Sequence, residues 1–211
     1  MAARTKFILG YRLLLLILSS IGISLELFED GWGMLLYYTV LSNILVWVFL
    51  YYTLWTWRNS RTQEFYRVKA GVTMAILITF VVYHVLLSPS VDPEDFYTLK
   101  NLLVHYLVPL AFVVDTLVWD RARQYRLVDP WIWTSFPIFY LAFALLNGLI
   151  LKWPIPGADH SPFAYFFLDV TEYGWTYVLQ YAAIIFVAYL LVGYLLFAFK
   201  NKIWQKSGKI G

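Results

Sequence analysis

Six apolar stretches, each close to the roughly 20 residues that cross a lipid bilayer, constrain the fold of this chain more than any other feature. They cover residues 7–27, 34–57, 70–87, 102–119, 131–151 and 173–199. In lipid, only a helix of this length satisfies its backbone hydrogen bonds within the segment. Because 61% of the residues are hydrophobic and 14% are charged, the chain carries more apolar surface than a soluble domain buries. We therefore predict an all-α, polytopic membrane protein in which residues 1–211 form a single domain of six transmembrane helices.

The first stretch also resembles a signal peptide in having a basic start. However, Arg12 would interrupt the apolar region of a signal peptide, and no small-x-small cleavage site follows. We predict that this stretch is a transmembrane helix.

The basic residues indicate how the helices are oriented. Fourteen of the 16 lie at the start of the chain, between stretches two and three, between stretches four and five, or after stretch six. Only Lys100 and Lys152 lie in the other connections, which are rich in Asp and Glu. The positive-inside rule then predicts that both termini are cytoplasmic and that the chain is a multi-pass protein of the cell membrane.

Composition excludes several classes of function. The absence of Cys excludes disulfides, thiolate catalysis and metal sites built on Cys. No run of basic residues interleaved with aromatic residues lies outside the apolar stretches, which argues against nucleic-acid binding. The ten Trp and 17 Tyr residues are typical of rings that anchor at the membrane interface. Membrane lipids are therefore the expected partners, and no cofactor is predicted.

Stretch four combines an apolar sequence with polar residues on one helical face. Asn101, His105 and Pro109 recur every four residues, which places them on the same side of a helix. Ionisable groups are costly in hydrocarbon, so they usually face the interior of a bundle and often mark function. We predict that the other helices pack around this polar face.

Three other polar residues lie at a depth similar to that of His105. His105 is five residues from Lys100, about 7 Å below the outer surface. Thr39 and His84 are equally near the outer ends of their stretches, and Asp169 lies in an apolar segment just before stretch six. These side chains are predicted to surround one cavity that opens outward.

Four patterns occur in order along nearly the whole chain: Tyr38-Thr39-Val-Leu-Ser42-Asn43, Asn101-x-x-x-His105-x-x-x-Pro109, Pro137, and Phe167-Leu168-Asp169-Val170. In these patterns the chain resembles the androgen-induced-gene type of six-span membrane proteins, particularly its bacterial relatives. Animal members of that family are threonine hydrolases of fatty acid esters of hydroxy fatty acids. The resemblance implies that Thr39 is the nucleophile, that His105 is the base, and that the substrate is a lipid or fatty-acid ester.

The chemistry of such a site requires more than two residues. A Thr hydroxyl is a weak nucleophile that needs an adjacent base, and a neutral His can take its proton and return it to the leaving alcohol. Either Asn101 or Asp169 is placed to orient the His ring. Asn43, a Tyr or backbone amides are candidates for donating hydrogen bonds to the oxyanion.

Structural roles are the alternative for the same residues. Thr39 is of a type that commonly bonds the carbonyl four residues earlier or a neighbouring helix. In this interpretation His84 sits at the interface and Asp169 caps the sixth helix. Pro109 and Pro137 then only kink their helices.

Two other classes of function stay open. A metal-dependent hydrolase would use His84 and His105 with either Asp169 or His160, although no tight ligand spacing is present and we predict no metal site. A non-enzymatic lipid-binding or assembly protein would tolerate the loss of Thr39. A transporter is disfavoured because no repeated halves are visible, and a retinal pigment because no Lys lies in mid-membrane.

A last prediction concerns two charges within the apolar stretches. Arg12 and Asp115 both lie in the cytoplasmic half, and each alone would be costly in lipid. We predict that they form a buried structural ion pair. The alternative is that Arg12 extends to the cytoplasmic headgroups.

Overall fold

The computed structural model describes residues 3–58, 65–158 and 161–203, and this part of the chain is helical with no strand. It contains six helices long and apolar enough to cross a membrane: α1, Ala3–Glu29; α2, Tyr38–Trp57; α3, Tyr66–Ser90; α4, Leu99–Trp119; α5, Asp129–Leu151; and α6, Gly174–Asn201. The predicted all-α fold with six membrane-spanning helices is confirmed.

The two ends of the bundle differ in charge. We call the end that holds Arg12, Lys69 and Lys200 the basic end, and the end that holds Glu29 and Asp30 the acidic end. The assignment of the basic end to the cytoplasm stays a prediction of the positive-inside rule.

The helix α2 begins at Tyr38, and the prediction that it begins at residue 34 is wrong. Residues Trp32–Leu36 form a 3₁₀ turn that follows Gly31 in a left-handed conformation (φ 89°). Within this turn, Gly33 packs so closely against Pro154 and Pro156 that a Cβ atom would not fit. The extended backbone of Tyr37 (φ −88°, ψ 135°) separates this turn from α2, so Thr39 lies in the first turn of α2.

Two of the clusters of buried side chains in the bundle share α3. The first four helices surround a core that includes Leu15, Val46 and the fully buried Phe112. On the other side of α3, a second core includes Trp133 of α5 and Tyr189 of α6. The helix α3 therefore contributes to both cores.

Hydroxyl groups join neighbouring helices within the bundle. Ser42 of α2 and Thr79 of α3 lie 2.7 Å apart, and so do Thr73 of α3 and Thr116 of α4. Such bonds matter in lipid because burial of apolar groups does not by itself drive helices together there.

The connection between α5 and α6 folds back onto the acidic end. Phe163 is almost fully buried and packs against Gly148, where a side chain would not fit. The Tyr37 hydroxyl donates to the Pro156 carbonyl at 2.6 Å, and a 3₁₀ turn follows at Phe166–Leu168. These contacts insert part of the connection into the bundle.

Arg12 and Asp115 are in contact at the basic end, as the sequence predicts. Arg12 Nε lies 2.9 Å from Asp115 Oδ1. The pair belongs to a larger network, because Lys69 contacts both Asp115 and Asp120. Lys69 comes just before stretch three in the sequence and was counted among the residues of a loop, but it is buried in the first turn of α3. Lys200 adds α6 to the network by donating to the Asp120 carbonyl at 2.7 Å.

Candidate active site

Thr39 and His105 meet at the acidic end, between α2 and α4. Thr39 Oγ1 lies 3.2 Å from His105 Nε2, which is within the hydrogen-bond distance that the sequence predicts for the pair. Thr39 is buried in the first turn of α2, where the aligned amide dipoles favour negative charge. The contact is present, and the roles of nucleophile and base stay a prediction.

A backbone carbonyl determines which nitrogen of His105 carries the proton. His105 Nδ1 lies 3.3 Å from the Asn101 carbonyl oxygen, which can only accept. Nδ1 therefore carries the hydrogen, Nε2 is left as the acceptor, and the Thr39 hydroxyl donates to it. Asn101 thus orients the ring as predicted, but through its backbone rather than its side chain, which donates to the Phe96 carbonyl.

Pro109 explains how α4 presents His105. A proline ring clashes with the carbonyl four residues earlier, and in α4 that carbonyl belongs to His105. The helix widens into a π turn at Leu103–Leu107 and returns to α geometry at Val108. Turns of this kind inside α-helices often occur at functional sites. The His105-x-x-x-Pro109 spacing therefore places the imidazole in a widened turn.

Tyr83 of α3 holds the imidazole ring from one side. Its buried ring stacks on His105 with ring centroids 3.7 Å apart and planes 17° from parallel. The sequence does not single out Tyr83, because it lies in an apolar stretch rich in aromatic residues and nothing in the sequence sets it apart from the others.

Tyr165 is a further side chain at the Thr39–His105 pair, which we call the dyad, and the sequence did not identify it. Its hydroxyl accepts from the Thr39 backbone amide at 3.3 Å and lies 3.5 Å from Thr39 Oγ1. Since the Thr39 hydroxyl donates to His105, the Tyr165 hydroxyl is the donor to Thr39 Oγ1. The only available signal was the position of Tyr165 in the apolar segment that ends in Asp169, from which only the carboxylate was singled out.

An apolar cavity of about 130 Å³ adjoins Thr39. Its wall comes from α2, α3, α5, α6 and the connection before α6, and it includes Thr39, Tyr83 and Tyr165. His105 does not line this cavity and lies behind Tyr83. A cavity is present beside Thr39, but the prediction that Thr39, His84, His105 and Asp169 surround it is wrong, because only Thr39 lies in the wall.

Asn43 is a structural residue here, and the prediction that it donates to an oxyanion is wrong. Its amide nitrogen donates to the Thr39 carbonyl at 2.9 Å and to the Val104 carbonyl at 3.0 Å. An amide has two N–H donors, so both are already used. Asn43 instead ties α2 to α4 beneath the dyad.

His84 does not belong to the site, contrary to prediction. Its side chain is exposed, and Nδ1 lies 3.1 Å from the Tyr106 hydroxyl. Neighbouring residues on a helix point about 100° apart, and Tyr83 takes the inward position.

Asp169 likewise is not among the partners of His105, and the alternative that it caps the sixth helix is wrong, because the N-cap residue is Tyr173 and no side chain caps it. Its carboxylate accepts from the Ser161 and Thr171 hydroxyls at 2.7 and 2.6 Å, and from the amides of Thr171 and Glu172. Burial alone would raise the pKa of this carboxyl, but these hydrogen bonds lower its pKa below the usual value. Asp169 therefore fixes the turn that leads into α6.

Among the residues that the structure describes, the ligand set His84, His105 and Asp169 of the metal-dependent alternative is not assembled. Within residues 3–58, 65–158 and 161–203, no three His, Asp or Glu side chains are grouped so that they could hold a metal ion. His160 lies outside the described residues.

Comparison with known proteins adds no further identification. No family model, no curated protein and no solved structure matches the chain. The geometry of the site and the residue patterns given above are therefore what indicate a function.

Proposed function

We propose that this chain is a membrane hydrolase of lipid esters in which Thr39 is the nucleophile and His105 is the base. One observation carries the proposal: the directed series of contacts from Tyr165 through Thr39 and His105 to the Asn101 carbonyl, at the wall of an apolar cavity. A nucleophile, a base and a group that orients the base are the arrangement that activates a hydroxyl.

The reaction would proceed in two halves. Thr39 Oγ1 attacks the ester carbonyl carbon while its proton passes to His105 Nε2. The bond to the alcohol oxygen then breaks, and that oxygen takes the proton from His105. In the second half, water attacks the acyl-Thr39 ester and gives a proton to His105. Collapse of this intermediate breaks the bond to Thr39, which regains the proton as the acid leaves.

Two features would stabilise the oxyanion in each half. The Tyr165 hydroxyl already points its hydrogen toward Thr39 Oγ1, next to the carbon that would be attacked. The first turn of α2 adds amide dipoles with their positive ends toward the same place. Preorganised donors of this kind are often the largest contribution to catalysis.

The substrate class follows from the cavity and its setting. An apolar wall beside the nucleophile suits the hydrocarbon part of a lipid ester and does not suit a hydrated, polar substrate. Fatty acid esters of hydroxy fatty acids, which the family resemblance suggests, satisfy this requirement, as do other esters that partition into the membrane.

The test is cleavage of a panel of lipid esters by the purified protein in detergent, comparing the wild type with Thr39→Val. We expect the variant to lose at least about 100-fold in kcat/KM, because it keeps the shape of the side chain but has no hydroxyl. Thr53→Val is a matched control, since Thr53 is also in α2 and its hydroxyl donates to the Phe49 carbonyl of the same helix. Full activity in Thr39→Val, or no cleavage by the wild type, would contradict the proposal.

A non-enzymatic lipid-binding protein is the second candidate. It is favoured by the apolar cavity and by the buried Tyr38 hydroxyl in its wall, which has no hydrogen-bond partner among the described residues. The same panel separates the two candidates, because a binding protein would retain a fatty acid equally well with Val at position 39 and would release no product.

A further inference from the structure

Thr39 has the apolar cavity on one side and His105 on the other. This difference indicates where the acyl half and the alcohol half of an ester would lie. Resting on the proposed function, we propose that the cavity beside Thr39 holds the acyl chain of the substrate, that the alcohol lies on the His105 side, and that Tyr189 in the cavity wall limits the length of the acyl chain.

The proton that His105 returns to the substrate determines where the alcohol lies. After attack by Thr39, the alcohol oxygen must take a proton from His105 Nε2, so it must lie within hydrogen-bond distance of that nitrogen. His105 is outside the cavity wall, and the stacked ring of Tyr83 stands between the imidazole and the cavity. The alcohol therefore leaves from the side of Thr39 that faces away from the cavity.

The position of the acyl chain follows from the positions of the other groups on the carbonyl carbon. A carbonyl carbon attacked by Thr39 carries the oxyanion, the alcohol oxygen and the acyl chain. The oxyanion faces Tyr165, which is 3.5 Å from Thr39 Oγ1, and the alcohol faces His105. The acyl chain is the only group left to enter the cavity.

The size of the cavity suits part of one alkyl chain. On α3 its wall runs from Leu87 to Ile78, nine residues or about 13 Å. On α6 it runs from Ala182 to Tyr189, or about 10 Å. A cavity of about 130 Å³ is close in size to the engineered apolar cavity that holds one benzene molecule. It is therefore too small for two chains side by side.

A fixed side chain lies at the deep end of the α6 wall, which is the end farthest from the start of α6 at Gly174. Tyr189 is buried, and its hydroxyl donates to the Trp133 carbonyl at 2.9 Å. This bond connects α6 to α5 behind the cavity. An acyl chain longer than the distance from Thr39 to Tyr189 would have to bend or leave the cavity, and its cleavage should slow.

The experiment uses two series of esters with the wild-type protein and one variant. In one series the acyl group grows from hexanoyl to palmitoyl on a fixed alcohol, and in the other the alcohol grows on a fixed acyl group. Ala182→Phe places a ring in the cavity wall. We expect it to lower kcat/KM for the longest acyl groups at least about tenfold more than for hexanoyl, and to leave the dependence on alcohol length as in the wild type.

A matched control lies next to the test position. Ala183 is exposed on the adjoining face of α6 and does not line the cavity. Ala183→Phe introduces the same ring into the same helix, so we expect it to leave the acyl-length profile unchanged.

A second variant changes the cavity in the opposite direction. Ile185→Ala removes volume from the wall, and we expect it to move the preferred acyl group to a longer chain. This variant keeps the inference testable if Ala182→Phe does not fold.

The outcomes separate the two proposals. A change in the alcohol-length profile, or an equal loss for every acyl length, would overturn the acyl assignment while the hydrolase function stands. If the wild type cleaves neither series, both the function and the assignment that rests on it are wrong.

Discussion

Replacing Tyr165 distinguishes catalysis from packing at the scale of a single residue. Tyr165→Phe keeps the ring, which stacks on Phe167 with centroids 5.2 Å apart, and removes only the hydroxyl. Loss of one oxyanion donor costs about 10²–10³ in kcat, and we expect this loss with little change in KM. Tyr11→Phe is the control, because it removes a Tyr hydroxyl that donates to the Ala111 carbonyl far from the dyad. Equal rates for Tyr165→Phe and wild type would exclude the donor role.

At the scale of the element, Pro109 controls the turn that carries His105. In Pro109→Ala the ring no longer forces the preceding turn to widen, so the π turn at Leu103–Leu107 is expected to relax toward α geometry. A displacement of about 1 Å at a reacting group can cost about 100-fold in rate. We therefore expect a large fall in ester cleavage with unchanged or higher thermal stability. Wild-type kinetics in this variant would show that the turn does not depend on the proline.

The turn before α6 should respond to acid through Asp169. Because its pKa is lower in the folded chain than the usual 3.8, its stabilising effect is fully present above that value and is lost as pH falls through the lowered pKa. The unfolding temperature of the wild type should therefore drop on going from about pH 5 to about pH 3. The Asp169→Asn variant should have a lower unfolding temperature than the wild type at about pH 5, and its unfolding temperature should fall less between about pH 5 and about pH 3. Asp92→Asn, at an exposed position, should behave like the wild type, and a parallel drop in all three proteins would contradict the role of Asp169.

At the scale of the whole molecule, the charge network at the basic end should control stability but not catalysis. Asp115 is fully buried and contacts two cations, Arg12 and Lys69. Breaking a buried pair by removing one partner costs about 3–5 kcal/mol, so Asp115→Asn should lower thermal stability more than Arg12→Gln. The activity of the folded fraction should persist, because Asp115 is ten residues from His105, about 15 Å along α4.

Exchanging the charges of Arg12 and Asp115 tests whether Lys69 takes part in the network. The double variant Arg12→Asp, Asp115→Arg would place a new guanidinium beside Lys69, which the sequence assigned to a loop. We therefore expect the exchange to restore little of the stability lost in the single variants. Full recovery would show that Arg12 and Asp115 interact without Lys69.

How far the sequence predicts this molecule depends on the kind of interaction. Hydropathy predicts the helices because lipid imposes their length. Helical spacing and matched depth place Thr39 opposite His105, because both quantities follow from the regular geometry of a helix. Tyr165 escapes this reasoning because it comes from an irregular connection whose path depends on close contacts at Gly33 and Gly148. Asn43 was misassigned because the sequence shows that it is polar but does not show the two carbonyls that accept hydrogen bonds from its amide.

The charge network has a consequence for how the chain is made. Synthesis proceeds from the N-terminus, so Arg12 in α1 and Lys69 in α3 reach the membrane before Asp115 in α4 exists. Until then two cations lack their partner at this depth, and each is costly in hydrocarbon. We expect a nascent chain that ends before α4 to insert poorly or to be degraded, and a chain extended to Trp119 to be retained. The fourth helix would thus complete the assembly of the first three during biogenesis.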